Sequence, residues 1–136
     1  MIKYTPIGFT VDLTRHDFRK RKAIFDNKCK ILKIAESVND KYFLISDLDI
    51  IYGYGIQEME KFLNDNLDYG AVALYPHGGK IPDNRHVSAA FMMIRTEAIK
   101  GIELEYRKNC FCHSLREELM RNDWKVTYIE GKVIHP

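Results

Sequence analysis

Cysteine, proline, net charge and long apolar runs are all scarce in this chain, and each shortage excludes something. Three cysteines, Cys29, Cys110 and Cys112, are too few and odd in number for a disulfide framework. No apolar run approaches the roughly 18–20 residues that a membrane-spanning helix needs. Nor does Met1-Ile2-Lys3-Tyr4-Thr5-Pro6 begin a segment of signal-peptide type, so a cytoplasmic location without a transmembrane segment is the expectation. Four prolines and a 46% hydrophobic fraction argue against disorder, and 136 residues suit one domain with one core. A net charge of only +2 hides an uneven distribution. Residues 14–33 hold eight basic side chains (Arg15, Arg19, Lys20, Arg21, Lys22, Lys28, Lys30, Lys33) against Asp17 and Asp26. That stripe is suited to phosphate, nucleic acid or an anionic surface, or is simply a solvated helix face.

The apolar pattern alternates between strand and helix. A short strand is expected at Gly8–Val11, then a helix from Thr14 to about Val38. On that helix Phe18, Phe25, Cys29, Leu32 and Ala35 share a face, with the basic residues largely on the others. Tyr42-Phe43-Leu44-Ile45 is a continuous apolar run of the kind found in strands covered on both faces. Gly53 and Gly55 break the chain, and Ile56–Leu67 reads as an amphipathic helix. Strands follow at Gly70–Tyr75 and Ser88–Arg95, separated by a polar loop at Pro76–Val87. Thr96 caps a short helix, a longer one spans Phe111–Asn122, and Trp124–Ile129 is a strand. Glu130-Gly131 reads as a turn, with Lys132–His135 extended. The alternation predicts a three-layer α/β/α sandwich around a mostly parallel sheet.

Chemistry concentrates where the first apolar run ends, at Ser46-Asp47-Leu48-Asp49. In open α/β sheets ligands collect beyond the carboxyl ends of strands. Two carboxylates one residue apart are hard oxygen donors suited to Mg2+ or Mn2+ and, through the cation, to a phosphorylated ligand. The bland reading is a capped turn with Asp49 solvated. Cys110, Cys112 and His113 form a second candidate metal set, although their spacing is not that of a zinc knuckle.

The stretch Tyr42–Asp49 resembles the D-x-D strand of GT-A nucleotide-diphospho-sugar glycosyltransferases, in particular glycosyltransferase family 2. Ala89–Arg95 is similar to that family's later strand, and Trp124, Tyr128 and His135 to its closing "G-W-x-x-x-Y…H" pattern. The resemblance runs over about residues 13–136 and implies a minimal GT-A-like fold and a nucleotide-sugar donor. It further implies transfer of the sugar to an acceptor and Mn2+ or Mg2+ as cofactor. Asp47 and Asp49 would hold the metal, Asp49 more directly, with His135 as a third ligand. Arg15, Arg19 and Lys22 would face the diphosphate, and His77, Arg85 and His86 an acceptor. Where inverting members carry a catalytic carboxylate this chain reads Asn109-Cys110-Phe111-Cys112-His113-Ser114, which makes His113 the substitute base. Most of the family's N-terminal nucleotide-binding β-α-β unit has no counterpart, so residues 1–136 are expected to be one reduced domain, completed by a second subunit or a homo-oligomer.

Other readings remain open at this stage. One is a non-catalytic binding or assembly module on the same scaffold. Another takes Asp47 and Asp49 as nucleophile and acid of a haloacid-dehalogenase-type phosphatase. That reading wants Thr or Val where Ile51 stands, and a downstream Lys that has no evident place. Nucleic-acid binding through residues 15–33 lacks interleaved aromatics.

Overall fold

The computed structural model describes residues 4–9, 18–37, 39–47, 50–76, 80, 86–107 and 110–134. In chain order the elements are β1 (Tyr4–Phe9), α1 (Phe18–Glu36), β2 (Tyr42–Asp47), β3 (Ile51–Tyr54), α2 (Ile56–Asp65) and β4 (Tyr69–Pro76). Then come β5 (Phe91–Arg95), α3 (Thr96–Ile99), α4 (Phe111–Arg121) and β6 (Lys125–Ile134).

Five strands make one curled, half-barrel sheet in the order β1-β2-β5-β4-β6, and β3 extends it by pairing with the far end of β6. The sheet is mixed. β1 lies parallel to β2 and β4 parallel to β6, whereas β5 runs antiparallel to both β2 and β4, and β3 antiparallel to β6. The expected three-layer sandwich with a mostly parallel sheet, and with it the minimal GT-A-like architecture, is therefore corrected. The physical reason lies between β4 and β5. Parallel neighbours need a crossover, usually a helix, whereas antiparallel ones can be joined by a loop. No helix is expected in the polar segment 76–87, so β5 returns beside β4 in the opposite direction. The continuous apolar runs of β2, β4 and β5 reflect burial on both faces, which an antiparallel central strand satisfies as well as a parallel one.

That two-sided burial is explicit in the side chains. Phe43 and Ile45 of β2, Ala71 and Ala73 of β4, and Met92 and Ile94 of β5 join Phe25, Leu32, Ile99, Phe111, Leu115 and Leu119 in one core. The alternate residues Tyr42, Leu44, Val72, Leu74, Phe91 and Met93 pack with Met59 and Leu63 of α2 in the other. Helix α2 thus forms because Met59 and Leu63, four apart, are both fully buried. Each contributes on the order of 1.5–3 kcal/mol by leaving water.

Two local expectations also change. The pair of glycines read as a break instead borders a strand, because Gly53 lies within β3 at a register irregularity against β6. The turn expected at Glu130-Gly131 is passed straight through by β6. A Cβ on Gly131 would stand 2.7 Å from a Leu74 methyl and 2.9 Å from the Tyr54 carbonyl, so this residue permits close strand approach rather than a reversal. Gly55, with φ of 133°, is the left-handed link from β3 into α2. Among the described residues no helix is long and apolar enough to cross a membrane.

Candidate functional site

Asp47 closes β2, at the carboxyl end of a strand whose first four residues are buried. Its amide donates to the Ala90 carbonyl at 2.8 Å, and its own carbonyl accepts from Ile50 at 3.2 Å. Its carboxylate oxygen Oδ1 lies 3.4 Å from Nζ of Lys28. Lys28 is one of few buried charged residues, 5% exposed, and its ammonium also donates to the Ala89 carbonyl at 3.4 Å. It sits over the Phe111 ring, 5.6 Å from the centroid. An ion pair kept partly out of water costs desolvation that its attraction only partly offsets.

A second group of polar side chains meets in the same neighbourhood, tied together through residues 86–90. Nε2 of His86 is 3.0 Å from Sγ of Cys110, which immediately precedes α4. The Ala89 amide donates to Sγ of Cys112, in the first turn of α4, at 3.2 Å. The ligand atoms of His86, Cys110 and Cys112 all lie within 4.8 Å of one another. Behind them the Tyr128 hydroxyl accepts from the Ser88 amide at 2.8 Å and donates to the His86 carbonyl at 3.1 Å. Four elements (α1, β2, α4 and β6) thus grip the five residues that lead into β5.

The electrostatics of the two thiols are opposed. A hydrogen bond from Cys110 draws the Cys112 thiol down to about 6, against its burial and helped by the Lys28 ammonium and the Ala89 amide. The same bond, with burial, pushes Cys110 up to about 12. One contact between the sulfurs thus lowers one thiol and raises the other.

The remaining expected site residues pair with other groups, or lie outside the described residues. Asp49, Arg15, His77, Arg85 and His135 are in the latter group, and Arg19 is described only as backbone in α1. Lys22 is exposed and paired with Asp26 on the same helix at 2.8 Å. His113 pairs through Nε2 with Glu117, one turn on along α4, at 3.0 Å. His86, expected to face an acceptor, meets Cys110. The residue that sequence reasoning passed over is Lys28. It follows Phe25 by three and precedes Leu32 by four, so it belongs to the apolar face of α1. A charge on such a face needs a buried partner, and that was the available signal. An open polar groove lined by residues including Glu36, Asn39, Lys41 and Lys100 lies at the opposite end of β2, away from this chemistry.

As a fit for Mg2+ or Mn2+, Asp47 supplies a hard carboxylate whose side chain is 19% exposed, although its Oδ1 is buried. The Lys28 ammonium faces this buried oxygen and competes with a cation for the carboxylate.

No family model matches the chain, and no curated protein matches it. Among solved structures it is similar to A197 from STIV, with a TM-score of 0.54 and 13% identity over 98% of this chain and 83% of that one. It is also similar to a protein of Bacillus anthracis assigned as a glucose-1-phosphate thymidylyltransferase, in complex with sucrose. There the TM-score is 0.49 and the identity 12%, over 79% of this chain and 54% of that one. The first likeness is one of fold alone; the second carries no argument about activity.

Proposed function

We propose that the chain binds a nucleotide-diphospho-sugar beyond the carboxyl end of β2 and transfers its sugar to an acceptor. The observation that carries this reading is the Lys28–Asp47 pair at the mouth of a buried strand. The pair sets a partly exposed carboxylate at the carboxyl end of β2, where packing alone would call for no charge. The ligand class rests on the resemblance of Tyr42–Asp49 to a glycosyltransferase D-x-D strand. In this reading Asp47 and Asp49 hold Mn2+ or Mg2+, which neutralises diphosphate charge when bound. Lys28 supplies a fixed positive charge beside the same carboxylate. His113, its ring held by Glu117, is the group that takes the proton of an acceptor hydroxyl.

The test is thermal unfolding with Mn2+ and a panel of UDP- and GDP-sugars. A donor at a hundred times its dissociation constant stabilises the native state by about 2.7 kcal/mol, a shift of several degrees. Asp47→Asn should abolish that shift. Absence of any donor-dependent shift in the wild-type chain would overturn the reading.

One observation favours a second reading, a non-catalytic assembly module. Ile51, Tyr52 and Tyr54 of the edge strand β3, with Ile134 of β6, expose large apolar surface. Light scattering of wild-type and Tyr52→Lys protein decides it. A self-association that this substitution abolishes, with no donor response, supports the module.

A further inference from the structure

We propose that His86, Cys110 and Cys112 form a three-ligand site for Zn2+, separate from the carboxylates at the end of β2. The three ligand atoms converge from two parts of the chain, with Nε2 of His86 arriving 24 residues ahead of Cys110. A tetrahedral zinc with bonds of about 2.3 Å to sulfur and about 2.0 Å to nitrogen sets its ligand atoms roughly 3.5–3.8 Å apart. The observed group, within 4.8 Å throughout and 3.0 Å between His86 and Cys110, reaches that spacing by shifts of about an ångström or less.

The donor set selects the metal. Two thiols and one imidazole are soft-to-borderline ligands, matched to Zn2+ and mismatched to Mg2+ or Ca2+. Two thiolates balance the charge of the dication, so the bound site adds no net charge beside the Lys28–Asp47 pair. The surroundings supply the outer support that metal ligands require. The Ala89 amide donates to Cys112, and Tyr128 holds the backbone of His86. Three protein ligands among the described residues leave the fourth tetrahedral position to water or to a ligand donor atom. Zinc here ties the start of α4 to the segment entering β5, which also supplies the carbonyls that hold Lys28 and Asp47.

The experiment is a Co2+ titration of the full chain, reduced and freed of metal. The expected result is a tetrahedral visible absorption and a thiolate-to-cobalt charge-transfer band that saturate at one equivalent of Co2+, both lost on adding one equivalent of Zn2+; Co2+ held by the carboxylates carries no such band. Cys110→Ser and Cys112→Ser should remove the charge-transfer intensity stepwise. His86→Gln, an exposed substitution checked for fold by circular dichroism, should weaken Co2+ at least about tenfold. Cys29→Ser should leave the spectrum intact, and an excess of Mg2+, a competitor for carboxylates only, should leave the charge-transfer band unchanged, which separates this site from a hard-cation site at the carboxylates. The proposal is overturned if the reduced chain takes up no stoichiometric Co2+, as a Cys110–Cys112 redox pair without metal affinity would behave. It is overturned equally if the cobalt spectrum survives in both cysteine variants or is unchanged in folded His86→Gln protein.

Discussion

Lys28 and Asp47 meet at 3.4 Å where α1 crosses the end of β2, the ammonium almost wholly buried and the carboxylate partly so. Removing one member of such a pair leaves the other charge in a place built for two. Lys28→Met should destabilise the fold by about 3 kcal/mol, the lower end expected for a broken buried pair because Asp47 keeps some solvent. Lys28→Met combined with Asp47→Leu should recover much of that loss. A double-mutant cycle from urea midpoints measures the coupling, and strict additivity would show that the two groups do not interact.

Arg95 ends β5 with its guanidinium buried beneath α2. It donates to the carbonyls of Leu63 at 2.6 Å, Asn66 at 3.3 Å and Tyr69 at 2.9 Å, and lies between the rings of Tyr42 and Trp124. It satisfies carbonyls that the end of α2 leaves without intrahelical partners. Arg95→Met should cost about 2–4 kcal/mol, since the buried Leu63 carbonyl and the part-buried Tyr69 carbonyl lose this donor at once. Arg95→Lys should rescue little, because a single ammonium cannot reproduce the planar fork. Chemical denaturation of both variants is the check; a fully stable lysine variant would contradict the account.

Gly55 combines a φ of 133° with a would-be Cβ 2.7 Å from the Leu74 methyls. Gly55→Ala therefore meets backbone strain of about 1–3 kcal/mol and a clash as well. Adding Leu74→Ala should relieve the clash and leave the strain. The double variant should accordingly be more stable than the sum of the two single losses implies, by thermal unfolding.

Asp68 and Lys125 pair at 2.9 Å on the exposed start of β6. The hydrogen bond from Lys125 holds the Asp68 carboxyl below its ordinary value of 3.8, and the same bond raises Lys125 above 10.5. The acidic partner contributes stability that is present above its unfolded pKa and lost as pH falls through the lowered folded value. The basic partner's share is present below 10.5 and lost as pH rises through the raised one. Asp68→Asn should therefore lower the melting temperature slightly at neutral pH. The gap should narrow as pH falls from 3.8 through the lowered folded value, and shrink in high salt, as befits an exposed pair. A gap that does not narrow at all on acidification would rule the pair out as its source.

Much of the element list was legible because burial leaves a period in the chain. Met59 and Leu63 marked α2, Phe111, Leu115 and Leu119 marked α4, and the apolar runs marked β2, β4 and β5. The direction of β5 was not read, although the polar segment before it was, because apolar runs record how many faces are covered and not which way a neighbour points. β3 escaped because its glycines mimic a break, and only its pairing with β6 makes it a strand. At the candidate site, Asp47 was visible as the last residue of an apolar strand. Lys28 was hidden among neighbouring cations whose side chains face water.

What the amino-acid sequence determined by itself is which segments could bury a face and where a carboxylate would emerge from the core. Periodicity and strand-end position are local properties, and they survive without a partner. Tertiary structure alone decided that β5 runs antiparallel and that Lys28 closes on Asp47. It also decided that His86 meets Cys110 and Cys112. Each of these depends on segments distant in sequence packing against one another, and no local spacing encodes such a meeting.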